Sequence, residues 1–211
     1  MKVNRNLSAV MAAMVLTSAT CGVGATEINQ FSDTPKELLG LTMGYPQQTE
    51  PVVKHIADDL VIQVQGKSLT DEGKSKNVTG IYNGFGSQLT VDKDLKVVLK
   101  NDAPASKREL GHYYMNAVYA GYGGLVKRFG DTDYGDTVIH VKGNVDIDAV
   151  GSGLQVNKQG NIIVEGGGKV ITHPVATADT YSAVAEEGNI YVNSGLDGKQ
   201  PGAKNLTLYG N

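Results

Sequence analysis

The sequence predicts an all-β chain, a right-handed parallel β-helix with an irregular N-terminal cap, and three observations lead there. The first is composition: 27 Gly, 10 Tyr, no Trp and only 19% charged residues among 211 suit a turn-rich β protein better than a helical one. The second is texture. From Asp59 onward, short runs alternate apolar and polar residues and are broken by Gly, Asn and Asp, the period-2 pattern of strands with one buried face. The third is recurrence, because the same ordered block returns along the chain: a small residue, an aliphatic anchor, a Gly turn, then one or two alternating strands.

Residues 1–25 are expected to be a signal peptide. Lys2 and Arg5 precede an apolar run from Leu7 to Leu16, and small residues follow, with Val23-Gly24-Ala25 placing the cut before Thr26. The run is too short for a span of the roughly 20 residues that a bilayer requires. Cys21 is the only cysteine, and Ser18 stands where a lipoprotein signal requires an aliphatic residue. A mature chain from Thr26 therefore carries no thiol, which removes disulfides and thiolate chemistry together. Net charge is -3 with no basic cluster, so no nucleic-acid partner is expected.

Residues 26–58 read as a leader or cap. Pro35, Pro46 and Pro51 interrupt the stretch, and Thr34, Pro35 and Gly40 would cap, open and end a short helix. Residues 59–211 read as the β-helix. The first block holds Gly80-Ile81-Tyr82, Gly86 and Leu89-Thr90-Val91, and the second Ala117-Val118-Tyr119, Gly123-Gly124 and Val138-Ile139-His140-Val141. The third holds Gly153-Leu154-Gln155, Gly160 and Ile162-Ile163-Val164, and the fourth Ala183-Val184-Ala185, Gly188 and Ile190-Tyr191-Val192. The anchors Ile81, Val118, Leu154 and Val184 are spaced by roughly 37, 36 and 30 residues, within the range of solenoid repeats. One such unit cannot cover its own apolar face, whereas stacked units cover one another's. The competing architecture is an antiparallel sandwich in which Gly143-Asn144 turns a hairpin; it does not require the same block to recur.

The segments Gly80-Ile81-Tyr82-Asn83-Gly84-Phe85-Gly86-Ser87-Gln88-Leu89-Thr90-Val91 and Ser182-Ala183-Val184-Ala185-Glu186-Glu187-Gly188-Asn189-Ile190-Tyr191-Val192-Asn193 resemble the N-terminal passenger of type V autotransporters, in the class of pertactin-like adhesins. The resemblance covers about the last two thirds of the chain. It implies export to the cell surface, a non-catalytic stalk or adhesin role, a host or neighbouring-cell glycan or protein as partner, and an outer-membrane translocator barrel in cis. The long alternating strands of such a barrel are absent up to Asn211, so the expectation is the front part of a longer gene product. The alternative is a β-helix polysaccharide lyase or hydrolase with its active face beyond Asn211.

Residues suited to chemistry are sparse. Glycoside hydrolysis needs two carboxylates across a bond; Asp146 and Asp148 share a strand face and Asp131, Asp133 and Asp136 share a loop, without the motifs of pectin hydrolases or the Arg pair of pectate lyases. An EF-hand loop opening at Asp131 fails at its sixth and twelfth positions, Asp136 and Lys142. His55, His112, His140 and His173 lack the spacing of a zinc site, although His140 and Asp146 could meet on adjacent outward faces. No catalytic residue, metal or cofactor is therefore expected. The candidate binding residues are Tyr113, Tyr114, Tyr119, Tyr122 and Tyr134, gathered in an apparent insertion from His112 to Asp136 among Gly111, Gly121, Gly123, Gly124 and Gly130. Tyr with Gly gives rigid contact area on adaptable backbone; the competing role for about half of them is packing within the β-helix.

Overall fold

The computed structural model describes residues 24–35, 37–44, 50–67, 78–101, 115–126, 132–173, 182–192 and 206–209. The alternating runs form strands that repeat in threes. The first coil is β1 (Thr26–Pro35), β2 (Leu38–Met43) and β3 (Val53–Ile56); the second is β4 (Leu60–Lys67), β5 (Val78–Gly84) and β6 (Gln88–Val91). The third is β7 (Leu95–Asn101), β8 (Met115–Gly121) and β11 (Thr137–Val141), with the pair β9 (Leu125–Val126) and β10 (Thr132–Asp133) inserted before β11. β12 (Val145–Val150), β13 (Ser152–Asn157) and β14 (Gly160–Val164) make the fourth coil; β15 (Gly168–His173), β16 (Ala183–Glu186) and β17 (Asn189–Val192) make the fifth; β18 (Leu206–Tyr209) starts another turn.

The first strands of the coils stack into a six-stranded sheet one, β1-β4-β7-β12-β15-β18. The second strands form the five-stranded sheet two, β2-β5-β8-β13-β16, and the third strands the five-stranded sheet three, β3-β6-β11-β14-β17. Every pairing within the three sheets is parallel. Together they make a parallel β-helix. Gly143-Asn144, the hairpin turn of a sandwich, instead joins β11 in sheet three to β12 in sheet one.

Register stacks like on like in the interior. Ile28, Ile62, Val97, Ile147 and Val170 align down sheet one, and Leu41, Ile81, Val118 and Leu154 down sheet two. Leu89, Ile139 and Ile162 do the same in sheet three, and all of these are buried. Each coil thus covers the apolar residues of the next, which is where the burial energy of the fold lies.

The corner between sheets three and one is held by short polar side chains. Asp59 Oδ1 accepts the Asp94 backbone N–H at 3.0 Å, Asp94 Oδ1 accepts the Asn144 backbone N–H at 2.7 Å and its side-chain amide at 3.2 Å, and Asn144 Oδ1 accepts the Gly167 N–H at 3.0 Å. Each turn side chain therefore satisfies the backbone of the next coil, where sheet hydrogen bonding lapses. Asp94→Ala is expected to destabilise the chain by about 1 kcal/mol, read as a lower denaturation midpoint at unchanged slope.

Three expectations are corrected. Most of residues 26–58 is not an irregular leader, nor do the described residues of 34–40 form a helix: β1, β2 and β3 pair with β4, β5 and β6, so the solenoid already includes the strands from Thr26 and does not start near residue 59. Pro35 is the last residue of β1, beyond an irregularity in its pairing with β4, and a strand end is where proline is tolerated. Second, Val184 does not continue the anchor column. Leu154 aligns with Ala183 and Gln155 with Val184, one position off the expected register. Ala183-Val184-Ala185 is apolar in either parity, so the turn after it decides which residue goes inward. Third, residues 112–136 are not one insertion, because Met115–Gly121 is the core strand β8.

Candidate functional site

The corner between sheets two and three carries the aromatic residues. Each coil bends there through left-handed backbone, at Gly44, at Phe85 and Gly86, at Tyr122 and Gly124, at Lys158 and Gln159, and at Glu187. Non-glycine residues take this conformation at a cost of about 1 kcal/mol or more, which the stacking of one bend on the next offsets: the Phe85 N–H donates to Gly121 O at 3.3 Å, Gly123 N–H to Lys158 O at 2.7 Å, and Gln159 N–H to Glu187 O at 2.7 Å. The bends aim their rings at one another. Tyr82 and Tyr119 stack with centroids 5.1 Å apart, Phe85 and Tyr122 stack at 5.4 Å, and Tyr134 meets Phe85 edge-on at 5.3 Å. Lys158 Nζ caps the Tyr122 ring at 5.8 Å.

The β9–β10 hairpin leaves the solenoid at this corner. Its foot is fixed by Gly124 N–H to Gly135 O at 2.7 Å and Tyr134 N–H to Gly124 O at 3.0 Å. Thr137 Oγ1 accepts the Gly86 N–H at 2.9 Å and donates to Gly121 O at 3.1 Å. The foot lies tight against coil two, since a Cβ on Gly86 would meet Tyr134 O at 1.9 Å.

Of the candidate tyrosines, Tyr119, Tyr122 and Tyr134 are brought together, and Tyr113 and Tyr114 lie outside the described residues. Tyr119 is not on a loop. It lies on β8, is buried, and donates its hydroxyl to Asn157 Oδ1 at 2.8 Å. Tyr122 and Tyr134 are half-buried, and their faces are partly taken up by Phe85 and Lys158. Tyr82, Phe85 and Asn157 join this cluster without having been candidates; the signal that could have found them is their repeat position, since Tyr82 and Tyr119 follow aligned anchors.

The acidic candidates are engaged separately and do not gather into one site. Asp146 lies 3.5 Å from Lys169, and Asp148 2.6 Å from His173. Asp133 Oδ1 accepts the Gly135 N–H at 2.9 Å, and Asp136 is exposed. Asp131 and His112 lie outside the described residues. His140 does not meet Asp146; its partner is Glu165, at 2.6 Å in the next coil. No group of three metal-ligating side chains occurs among the described residues.

Asp92 links three coils, with Lys142 at 2.7 Å and His55 at 2.6 Å. The Lys142 ammonium, and after it the His55 imidazole, hold the Asp92 carboxyl below its ordinary value of 3.8. A depressed carboxylate adds stability above its unfolded value and loses it as pH falls through the lower folded value. Asp92→Asn is therefore expected to lower stability modestly at neutral pH and to flatten the acid limb below about pH 4, so that variant and parent converge in acid, as followed by chemical denaturation read by circular dichroism at a series of pH values.

Comparison with family models, with curated proteins and with solved structures finds no match to this chain.

Proposed function

We propose that this chain is exported and displayed at the cell surface as the N-terminal part of an autotransporter passenger, serving as a stalk and adhesin rather than as an enzyme. The observation that carries the reading is the solenoid itself: three parallel sheets continued through five coils build length with a repeated, self-covering core, which is what a stalk requires. The export pattern of residues 1–25 and the thiol-free sequence after Cys21 agree with passage through an oxidising compartment. A rigid corner that carries a hairpin and clustered aromatic residues suits contact with another surface. The cis translocator barrel belongs to the same proposal.

Protease treatment of intact cells tests it, with intact-mass analysis of the released chain. A surface-accessible solenoid whose N-terminus lies near Thr26 is expected. A protected species that retains Met1, or one acylated at Cys21, would overturn the proposal.

A further inference from the structure

Gln155 lies between Leu154 and Val156, both part of the core, so its side chain is on the outer face of sheet two, aligned with Tyr119 in one neighbouring coil and Val184 in the other. It is 0% exposed, yet neither its amide oxygen nor its amide nitrogen has a hydrogen-bond partner. A buried donor and acceptor left unmade is a rare and costly arrangement. Ser152 Oγ, on the same strand, is also buried and unpartnered. The outward residues of sheet one are different: Glu27, Gln63, Lys96 and Asp148 lie open to water.

We propose that the outer face of β8 and β13, around Gln155, Tyr119 and Asn157, is a binding site for a neutral glycan. A primary amide offers two donors and an acceptor that can engage a hydroxyl as acceptor and donor at once, so it fits the adjacent hydroxyls of a sugar ring. Tyr119 supplies a flat apolar flank, and its hydroxyl, donated to Asn157 Oδ1 at 2.8 Å, fixes the orientation of that second amide. Tyr82, stacked on Tyr119 at 5.1 Å, holds the ring in place. The residues aligned with Gln155 carry no charge, which favours a neutral ligand over an anionic one. Because Gln155 is closed to solvent, entry requires a local opening of this face, and association is slow. The inference rests on the adhesive reading above and names the chemistry that reading would recognise.

The probe is an array of defined neutral oligosaccharides, read with the full chain and with its Gln155→Leu and Tyr119→Phe variants, alongside their thermal midpoints. Retention of at least one array glycan is expected, weakened about tenfold or more by Gln155→Leu. The midpoint of that variant holds or rises, since an apolar side chain relieves the unmet amide. Tyr119→Phe, which frees Asn157, is expected to weaken retention several-fold and keeps the test open if Gln155→Leu fails to fold. A chain that retains no array glycan, or folded variants that retain it as the parent does, would overturn the site. Surface display is measured separately. A displayed chain that binds no glycan refutes this site alone, and a glycan-binding chain confined to the cell interior refutes the adhesive reading alone.

Discussion

Leu154→Asp is expected to unfold the middle of the solenoid while coils one and two stay folded. Leu154 is fully buried and aligned with Val118 in the coil before it and Ala183 in the coil after it. The substitution forfeits roughly 1.5–3 kcal/mol of burial and places a carboxylate where no cation can reach it, so the total exceeds about 4 kcal/mol. Coils contact chiefly their neighbours, so the loss spreads along the stack and fades with distance. Hydrogen exchange with mass mapping should show β8, β13 and β16 exchanging freely while β4 and β6 remain protected. Val184→Asp is the informative companion. Val184 lies one position off the anchor column and is only half-buried, so its effect should be much smaller.

A second large effect is expected at Gly80. The corner between sheets one and two is lined by Gly40, Gly80, Ala117 and Gly153, and a Cβ on Gly80 would meet Ala117 O at 2.4 Å and Val97 Cγ1 at 2.6 Å. The first of these is backbone and cannot turn away. Gly80→Val should therefore push β5 off β8 and cost about 3 kcal/mol or more, lowering the thermal midpoint sharply. Gly80→Ala should show a smaller loss of the same sign, because one methyl group demands less displacement.

The interior was legible in the sequence wherever polar residues mark the parity of a strand. Leu89-Thr90-Val91 and Val145-Asp146-Ile147 admit one orientation each, and both are found as read. Ala183-Val184-Ala185 admits two, and the choice rests on the left-handed bend at Glu187 stacking over Gln159, an interaction between coils that no local pattern encodes. Residues 26–58 were obscured by their prolines, because the pairing partner of Pro35 lies some thirty residues downstream, at Lys67. At the candidate site, Tyr119, Tyr122 and Tyr134 could be noticed by type, but not that Tyr119 lies on β8, a strand paired with β5 and β13. Gln155 gave no signal at all. In Leu154-Gln155-Val156 it reads as an ordinary solvated partner of two core residues, and its burial arises from the tertiary structure alone.

Stacking in register is the central claim, and cysteine pairing tests it most directly. Gln63 and Val98 are aligned on the outer face of β4 and β7, and neighbouring strands lie about 4.8 Å apart, within reach of a disulfide. With Cys21 replaced by Ser, the Gln63→Cys, Val98→Cys variant should oxidise to a single intramolecular disulfide, seen by non-reducing peptide mapping. The Gln63→Cys, Lys96→Cys variant, displaced by two residues and thus about 8 Å apart, should remain reduced under the same conditions. Crosslinking of the displaced pair, or of neither pair, would contradict the parallel stack.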